Sequence, residues 1–230
     1  MIGKCFDKWI KGPELFDFLM RQIQTVMAMN DTVFMNQVLN LLDGQLNKHV
    51  EAGEILSEIA YKRVTLFAVA WAFAGLCETD MRKKFNEKLF EVVTAAGDAA
   101  ALPTVAEGMT IFEYVPDIED KEKNWMSWSV PEWKPPKKLN FSSLLIPTLD
   151  SVRIDFIMTI MGQIPRTRSC FQSTLVVGSP GTAKTSTCLM YMAKFPLATV
   201  ATKRCNYSSA TSPHSNQKRR VKLEVNFVIP

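Results

Sequence analysis

Eight consecutive residues carry the clearest chemistry in this chain: Gly178-Ser179-Pro180-Gly181-Thr182-Ala183-Lys184-Thr185 fits a phosphate-binding loop. In such a loop the glycines let the backbone turn tightly, so that successive N–H groups face phosphate oxygens, and the positive end of the following helix strengthens the field. Lys184 then reaches the β/γ-phosphates and the Thr185 hydroxyl ligates Mg²⁺. The position before the lysine is Ala183, where the strict pattern has glycine. The ligand these residue types imply is a nucleoside triphosphate with Mg²⁺.

A loop of this kind has to be held between a strand and a helix. Thr174-Leu175-Val176-Val177 is β-branched and apolar, as a buried parallel strand is, and residues 185–194 are apolar enough for a helix against a sheet. Hydrolysis also needs an acidic motif on a later strand, to hold Mg²⁺ and orient water. From Ser186 to Pro230 the one acidic residue is Glu224, in a weakly alternating stretch. A complete nucleotide-binding α/β domain needs several further βα units of about thirty residues each, and the chain has room for one. The expectation is an incomplete α/β P-loop domain that binds nucleotide without turning it over alone, with no residue assigned a catalytic role.

Upstream the pattern is helical. Leu15, Phe18, Leu19, Ile23 and Val26 recur at three- and four-residue steps, as do Val38, Leu41, Leu42 and Leu46, and such stripes pack helix on helix. Residues 61–77 are apolar nearly all round and belong at the centre of that packing, which makes Trp71 and Phe73 core residues. A further helix over 80–93 turns Phe85, Leu89 and Val92 to one side and Arg82-Lys83-Lys84 to water, and Gly97 and Pro103 close it. Next come Pro, Trp and charge: Ile111-Phe112-Glu113-Tyr114-Val115 alternates like a short strand, and 121–138 reads as a connector without helical period. Its Trp125, Trp128 and Trp133 are too much apolar area to leave in water, so the connector is expected to lie across a neighbouring surface. The organisation is therefore 1–100 helical, 101–140 a Pro/Trp-rich connector, and 141–230 the truncated P-loop domain.

Composition excludes several classes. The five cysteines have no C-x-x-C spacing and the only histidines are His49 and His214, against a zinc site, a disulfide framework or a histidine-based triad. The basic cluster Lys218-Arg219-Arg220-Val221-Lys222 reads as a solvated tail, so no nucleic-acid partner is expected. No signal peptide is evident, and the longest apolar run, 66–76, is half of what a membrane span needs, so no membrane partner is expected.

Together, Phe141-Ser142-Ser143-Leu144-Leu145-Ile146-Pro147-Thr148-Leu149-Asp150-Ser151-Val152-Arg153 and the G-x-x-G-T-A-K-T loop resemble the start of the third AAA+ module of a dynein heavy chain. Phe67 to Gly75, then Arg82-Lys83-Lys84-Phe85, Ile111-Phe112-Glu113-Tyr114, Trp125 and Trp128 are similar to the helical tail of the second module and its connector. Asn206-Tyr207-Ser208-Ser209-Ala210-Thr211-Ser212 resembles the second strand of the third module. The resemblance covers residues 38–212 and is strongest to axonemal outer-arm chains; from 214 the tail does not follow the family. It implies a fragment of an ATP-driven microtubule motor that binds ATP or ADP with Mg²⁺, partnered through its parent by other dynein subunits and microtubules. The implied location is the cytoplasm and cytoskeleton, within a ciliary axoneme. Ile146 and Pro147 would pack near the adenine by analogy with the family's N-terminal loop, while Asp150 and Arg153 read as a helix cap and a salt-bridge partner. The alternative is a helical protein-interaction module with a degenerate loop that binds nothing.

Overall fold

A computed structural model describes residues 2–10, 13–118, 125–135, 145–164, 174–178 and 180–195. The chain divides into two compact units, Met1–Trp128 with Gln163–Pro165, and Ser129–Gly162 with Arg166–Pro230.

The first unit is a helical assembly, in which helices α1 (Ile2–Cys5), α2 (Pro13–Gln22), α3 (Asp31–Glu51), α4 (Glu58–Ala74) and α5 (Thr79–Ala95) follow in order. The start of α3 is fixed by Asn30, whose side chain accepts from the Val33 N–H at 2.9 Å, and Ser57 does the same for α4 through Ala60 at 3.3 Å. Apolar residues surround α4, and Val64, Leu66, Phe67, Ala68, Val69, Ala70 and Phe73 are all 0 % exposed. Burying side chains of the Val, Leu and Phe class contributes about 1.5–3 kcal/mol each, so this helix anchors the unit. The expected stripes are in place at Leu15, Leu19, Val38, Leu41, Leu42, Leu46, Phe85, Leu89 and Val92, all buried. Val26 is not: α2 ends at Gln22, and Val26 is 58 % exposed while its N–H bonds the Leu76 carbonyl.

Helix continues ahead of α2, where no stripe was legible. A short π-helix, Phe6–Ile10, follows α1 and brings Trp9 to 0 % exposure. Its indole N–H donates to Asp98 Oδ2 at 3.0 Å, and Lys62 Nζ lies 2.8 Å from Asp98 Oδ1. This buried carboxylate thus joins the amino-terminal turn, α4 and the Gly97 turn after α5.

Arg82 departs from the expectation. It turns inward, its Nε and Nη2 donating to the carbonyls of Ala74 and Gly75 at 3.3 and 2.7 Å. A helix end leaves carbonyls without intrahelical donors and carries partial negative charge, so a guanidinium there satisfies both demands. The same group sits 5.3 Å from the Phe112 ring centroid. Arg82→Ala is expected to cost about 1–2 kcal/mol in chemical denaturation of the whole chain, and Arg82→Lys to recover only part of it.

The connector is also more ordered than its composition suggests. Ile111–Glu113 is a 3₁₀ turn, not part of a strand, closed by reciprocal bonds between Thr110 and Glu113. Strand β1 (Tyr114–Pro116) begins only after it and pairs antiparallel with β2 (Trp125–Ser127), which the sequence had not shown. Trp125 Nε1 donates to the Ala101 carbonyl at 2.9 Å and Trp128 Nε1 to the Phe112 carbonyl at 2.8 Å, while the Trp128 ring meets Phe67 and Trp71. Two of the three connector tryptophans therefore lie across the helical surface with their polar atoms satisfied.

In the second unit, α6 (Leu149–Gly162) and α7 (Lys184–Met192) pack around Met158, Cys188 and Tyr191, with Ile154, Val176 and Phe195 at the margin. The Tyr191 hydroxyl donates to the Met158 carbonyl at 3.3 Å, and Lys194 pairs with Asp155, so α7 is tied to α6 at two points. The parallel strand expected at 174–177 is not formed among the described residues. A strand exists through its ladder partners, and the expected neighbour at 206–210 lies outside the described residues. Residues 174–177 alternate in burial, with Leu175 and Val177 60 % and 42 % exposed and Val176 turned to the cluster. Among the described residues no helix is long and apolar enough to cross a membrane.

Candidate functional site

Residues 174–195 carry the loop into α7. Gly178 stands where a side chain has no room: a Cβ there would lie 2.9 Å from Thr182 Oγ1. Gly181 has φ +83° and open space around it, so its glycine is required by backbone conformation and not by crowding. Ala183 follows at φ 57°, ψ 19°, in the left-handed region, as the residue immediately before α7. Two left-handed positions within three residues fold the chain sharply onto the start of the helix.

Lys184 is the first residue of α7, and its Nζ turns back to donate to the Gly178 carbonyl at 2.8 Å and reaches Thr182 Oγ1 at 3.4 Å. The loop is thereby closed around its own ammonium. Thr185 lies in the first turn, half-buried. No side chain caps the amino terminus of α7, which leaves its first-turn N–H groups for a ligand or solvent. Thr187 holds the junction from beneath, its hydroxyl and N–H both bonding the Ala183 carbonyl, at 3.1 and 2.9 Å. This residue lies outside the motif, and its one sequence signal is a hydroxyl four residues after the turn position.

A glycine-dependent turn, an ammonium over the loop and an uncapped helix end are elements of the kind that can receive a polyphosphate. Ser179 lies outside the described residues; Pro180 and Thr182 are exposed in the loop. Ile146 and Pro147 sit in the segment ahead of α6, Ile146 55 % exposed and Pro147 half-buried. Asp150 is not the cap of that helix. Thr148 and Ser151 bond each other reciprocally there, at 2.8 and 3.2 Å, while Asp150 pairs with Arg153 at 3.2 Å. Among the described residues no group of histidine, cysteine, aspartate and glutamate could hold a metal ion, and Cys5, Cys77 and Cys188 are buried free thiols.

A left-handed alanine costs about 1–2 kcal/mol relative to a glycine in the same conformation. Ala183→Gly is therefore expected to stabilise the loop and the first turn of α7 by up to about 1 kcal/mol, glycine's larger unfolded-state entropy taking back part of the gain. Slower amide exchange at the start of α7 is the readout.

Two family models match in tandem. The dynein heavy chain AAA lid domain covers residues 2–130, and the P-loop containing dynein motor region covers residues 133–221. The chain is 33 % identical over 216 residues to the dynein gamma chain of the flagellar outer arm of Chlamydomonas reinhardtii, an alignment covering 92 % of this chain and 4 % of that protein. It is 29 % identical over 210 residues to mouse dynein axonemal heavy chain 8 (89 % of this chain, 4 % of that one). With rat dynein axonemal heavy chain 5 the identity is 27 % over 204 residues (87 % and 6 %). The chain thus spans about one twentieth of the curated relatives it matches. With lid and P-loop regions matched along almost its whole length, the chain belongs to the dynein heavy-chain family.

Proposed function

We propose that this chain is the part of an axonemal dynein heavy chain in which the lid of one AAA+ module leads into the nucleotide-binding loop of the next, and that residues 178–185 bind ATP or ADP. The observation that carries this reading is Lys184 at the start of α7, turned over a loop whose Gly181 and Ala183 are both left-handed. Gly178, Gly181, Thr182 and the first-turn N–H groups of α7 hold phosphate oxygens, and Lys184 neutralises their charge. Thr185 would hold a magnesium ion, which would supply further charge neutralisation at the phosphates. Ile146 and Pro147 offer apolar surface for a base.

Microtubules and other dynein subunits are partners of the parent motor, reached through the rest of the heavy chain, and the axonemal names of the relatives place the chain in the ciliary cytoskeleton. Binding is proposed without turnover, since after Thr185 the sequence offers one carboxylate, Glu224. Titration of a fluorescent ATP analogue into the 230-residue chain with Mg²⁺ is expected to saturate, and steady-state phosphate release to stay at the level of buffer. Absence of saturable binding overturns the nucleotide reading; phosphate release that disappears in Lys184→Ala overturns the absence of turnover.

A further inference from the structure

Among the described residues, Thr65, Thr159 and Thr187 each turn the hydroxyl back along a helix to the carbonyl four residues earlier, Thr65 to Tyr61 at 2.7 Å, Thr159 to Asp155 at 2.8 Å and Thr187 to Ala183 at 3.1 Å. The first two acceptors lie inside α4 and α6, where the helix already fixes the carbonyl. The third lies outside its helix. Ala183 precedes α7 at φ 57° and ψ 19°, and is the one residue other than glycine in the left-handed region among the described residues. An alanine is disfavoured there because its Cβ crowds the following carbonyl oxygen.

Thr187 meets that oxygen twice, through its N–H at 2.9 Å and its hydroxyl at 3.1 Å. It is 2 % exposed, so water does not compete for either bond. No side chain caps α7. A peptide unit is planar and trans, so holding the Ala183 oxygen on the helix side fixes the direction of the Lys184 N–H on the opposite side, toward the loop. The orientation of the Lys184 backbone therefore depends on a residue outside the motif.

We propose that Thr187 is a positioning residue for phosphate binding, holding the left-handed Ala183 in the conformation that aims the Lys184 N–H and side chain at a nucleoside di- or triphosphate. This rests on the nucleotide reading given above. What Thr187 sets is the fraction of chains whose loop is ready for the ligand, and apparent affinity falls in proportion to that fraction. Glycine adopts the left-handed conformation without a Cβ to crowd, so the dependence on Thr187 belongs to the alanine at 183.

A double-mutant cycle in the 230-residue chain tests this, with the parent, Ala183→Gly, Thr187→Val and the double variant each titrated with a fluorescent ATP analogue and Mg²⁺. Valine keeps the branched shape and removes the hydroxyl. Thr187→Val is expected to weaken binding about two- to tenfold in the parent chain, the range of one neutral hydrogen bond, and by less than about twofold in the Ala183→Gly chain. Thr187→Ser, which keeps the hydroxyl, should restore most of the loss. A ligand-free measurement accompanies the titration: the amide of residue 187 should exchange faster in Thr187→Val by a similar factor, and less so in the double variant. Should Thr187→Val not fold, Thr187→Ala carries the same comparison. Equal weakening in both backgrounds, or weakening in neither, overturns the proposal and leaves the nucleotide reading standing. Absence of binding in all four chains overturns the nucleotide reading, and the proposal with it.

Discussion

Lys184→Ala is expected to weaken binding of a nucleotide triphosphate about 10- to 150-fold, equivalent to roughly 1.5–3 kcal/mol, the range for a charge-assisted hydrogen bond lost to a charged acceptor. The magnitude follows from placement. Lys184 Nζ already stands within the loop, 2.8 Å from the Gly178 carbonyl, so little side-chain ordering remains when a phosphate replaces that acceptor. The substitution should leave the helical signal of the chain unchanged, because alanine is a good helix former at this position. Lys184→Arg should not rescue fully: the planar guanidinium cannot follow the same path onto Gly178 and Thr182. Equal affinity of Lys184→Ala and the parent chain in a fluorescence titration would show that the loop residues do not bind phosphate, and would favour the helical interaction module instead.

The second large effect is on stability and concerns Asp98, a residue with no place in the nucleotide chemistry. Its side chain is 4 % exposed, with Lys62 at 2.8 Å, the Trp9 indole at 3.0 Å and Lys8 at 3.6 Å. Burial alone pushes this carboxyl up, but the bonds from Lys62 and Trp9 and the charges of Lys62 and Lys8 outweigh it, so the group lies below its ordinary value of 3.8. Lys62 is raised in turn, chiefly by its bonds to Asp98 and Glu58. Asp98→Ala is expected to cost about 3–5 kcal/mol in chemical denaturation, since it strands a buried indole N–H and leaves Lys62 with the exposed Glu58 alone. The pH dependence has a definite sign. A carboxyl depressed in the folded state contributes stability that is present above its unfolded value near 3.8 and is lost as pH falls through the lower folded value. As pH falls below about 3.8 the parent chain should therefore lose stability more steeply than Asp98→Ala. Parallel curves would remove Asp98 from the role assigned to it.

Much of this architecture was legible in the residues because it depends on local periodicity and on motifs that are contiguous. The stripes of α2, α3 and α5 satisfy a 3.6-residue repeat, and burial follows that repeat wherever a helix lies on a partner. The proposed phosphate loop is equally local: its glycines, lysine and threonine stand within eight consecutive residues, and the Ala183 departure from the strict pattern is visible as a letter and realised as a left-handed residue. The amino-terminal turn was missed because Trp9 is buried through one long-range bond to Asp98, 89 residues away, and not through a stripe. Strand β2 was missed because a three-residue strand has no period to read and exists only through its register with β1.

What the sequence determined by itself, then, was the candidate loop motif and the helical character of the first hundred residues, since both are properties of short windows. Tertiary structure alone decided which polar groups are sealed from water and what they meet there. Arg82 and Arg63 are the clearest pair. Both are arginines near the apolar core helix and nothing in their neighbourhoods distinguishes their fates, yet Arg82 closes the end of α4 on two carbonyls while Arg63 is buried with its Nε unanswered. A guanidinium's energy depends on the acceptors and dielectric around it, and those are set by segments distant in the chain that packing brings together.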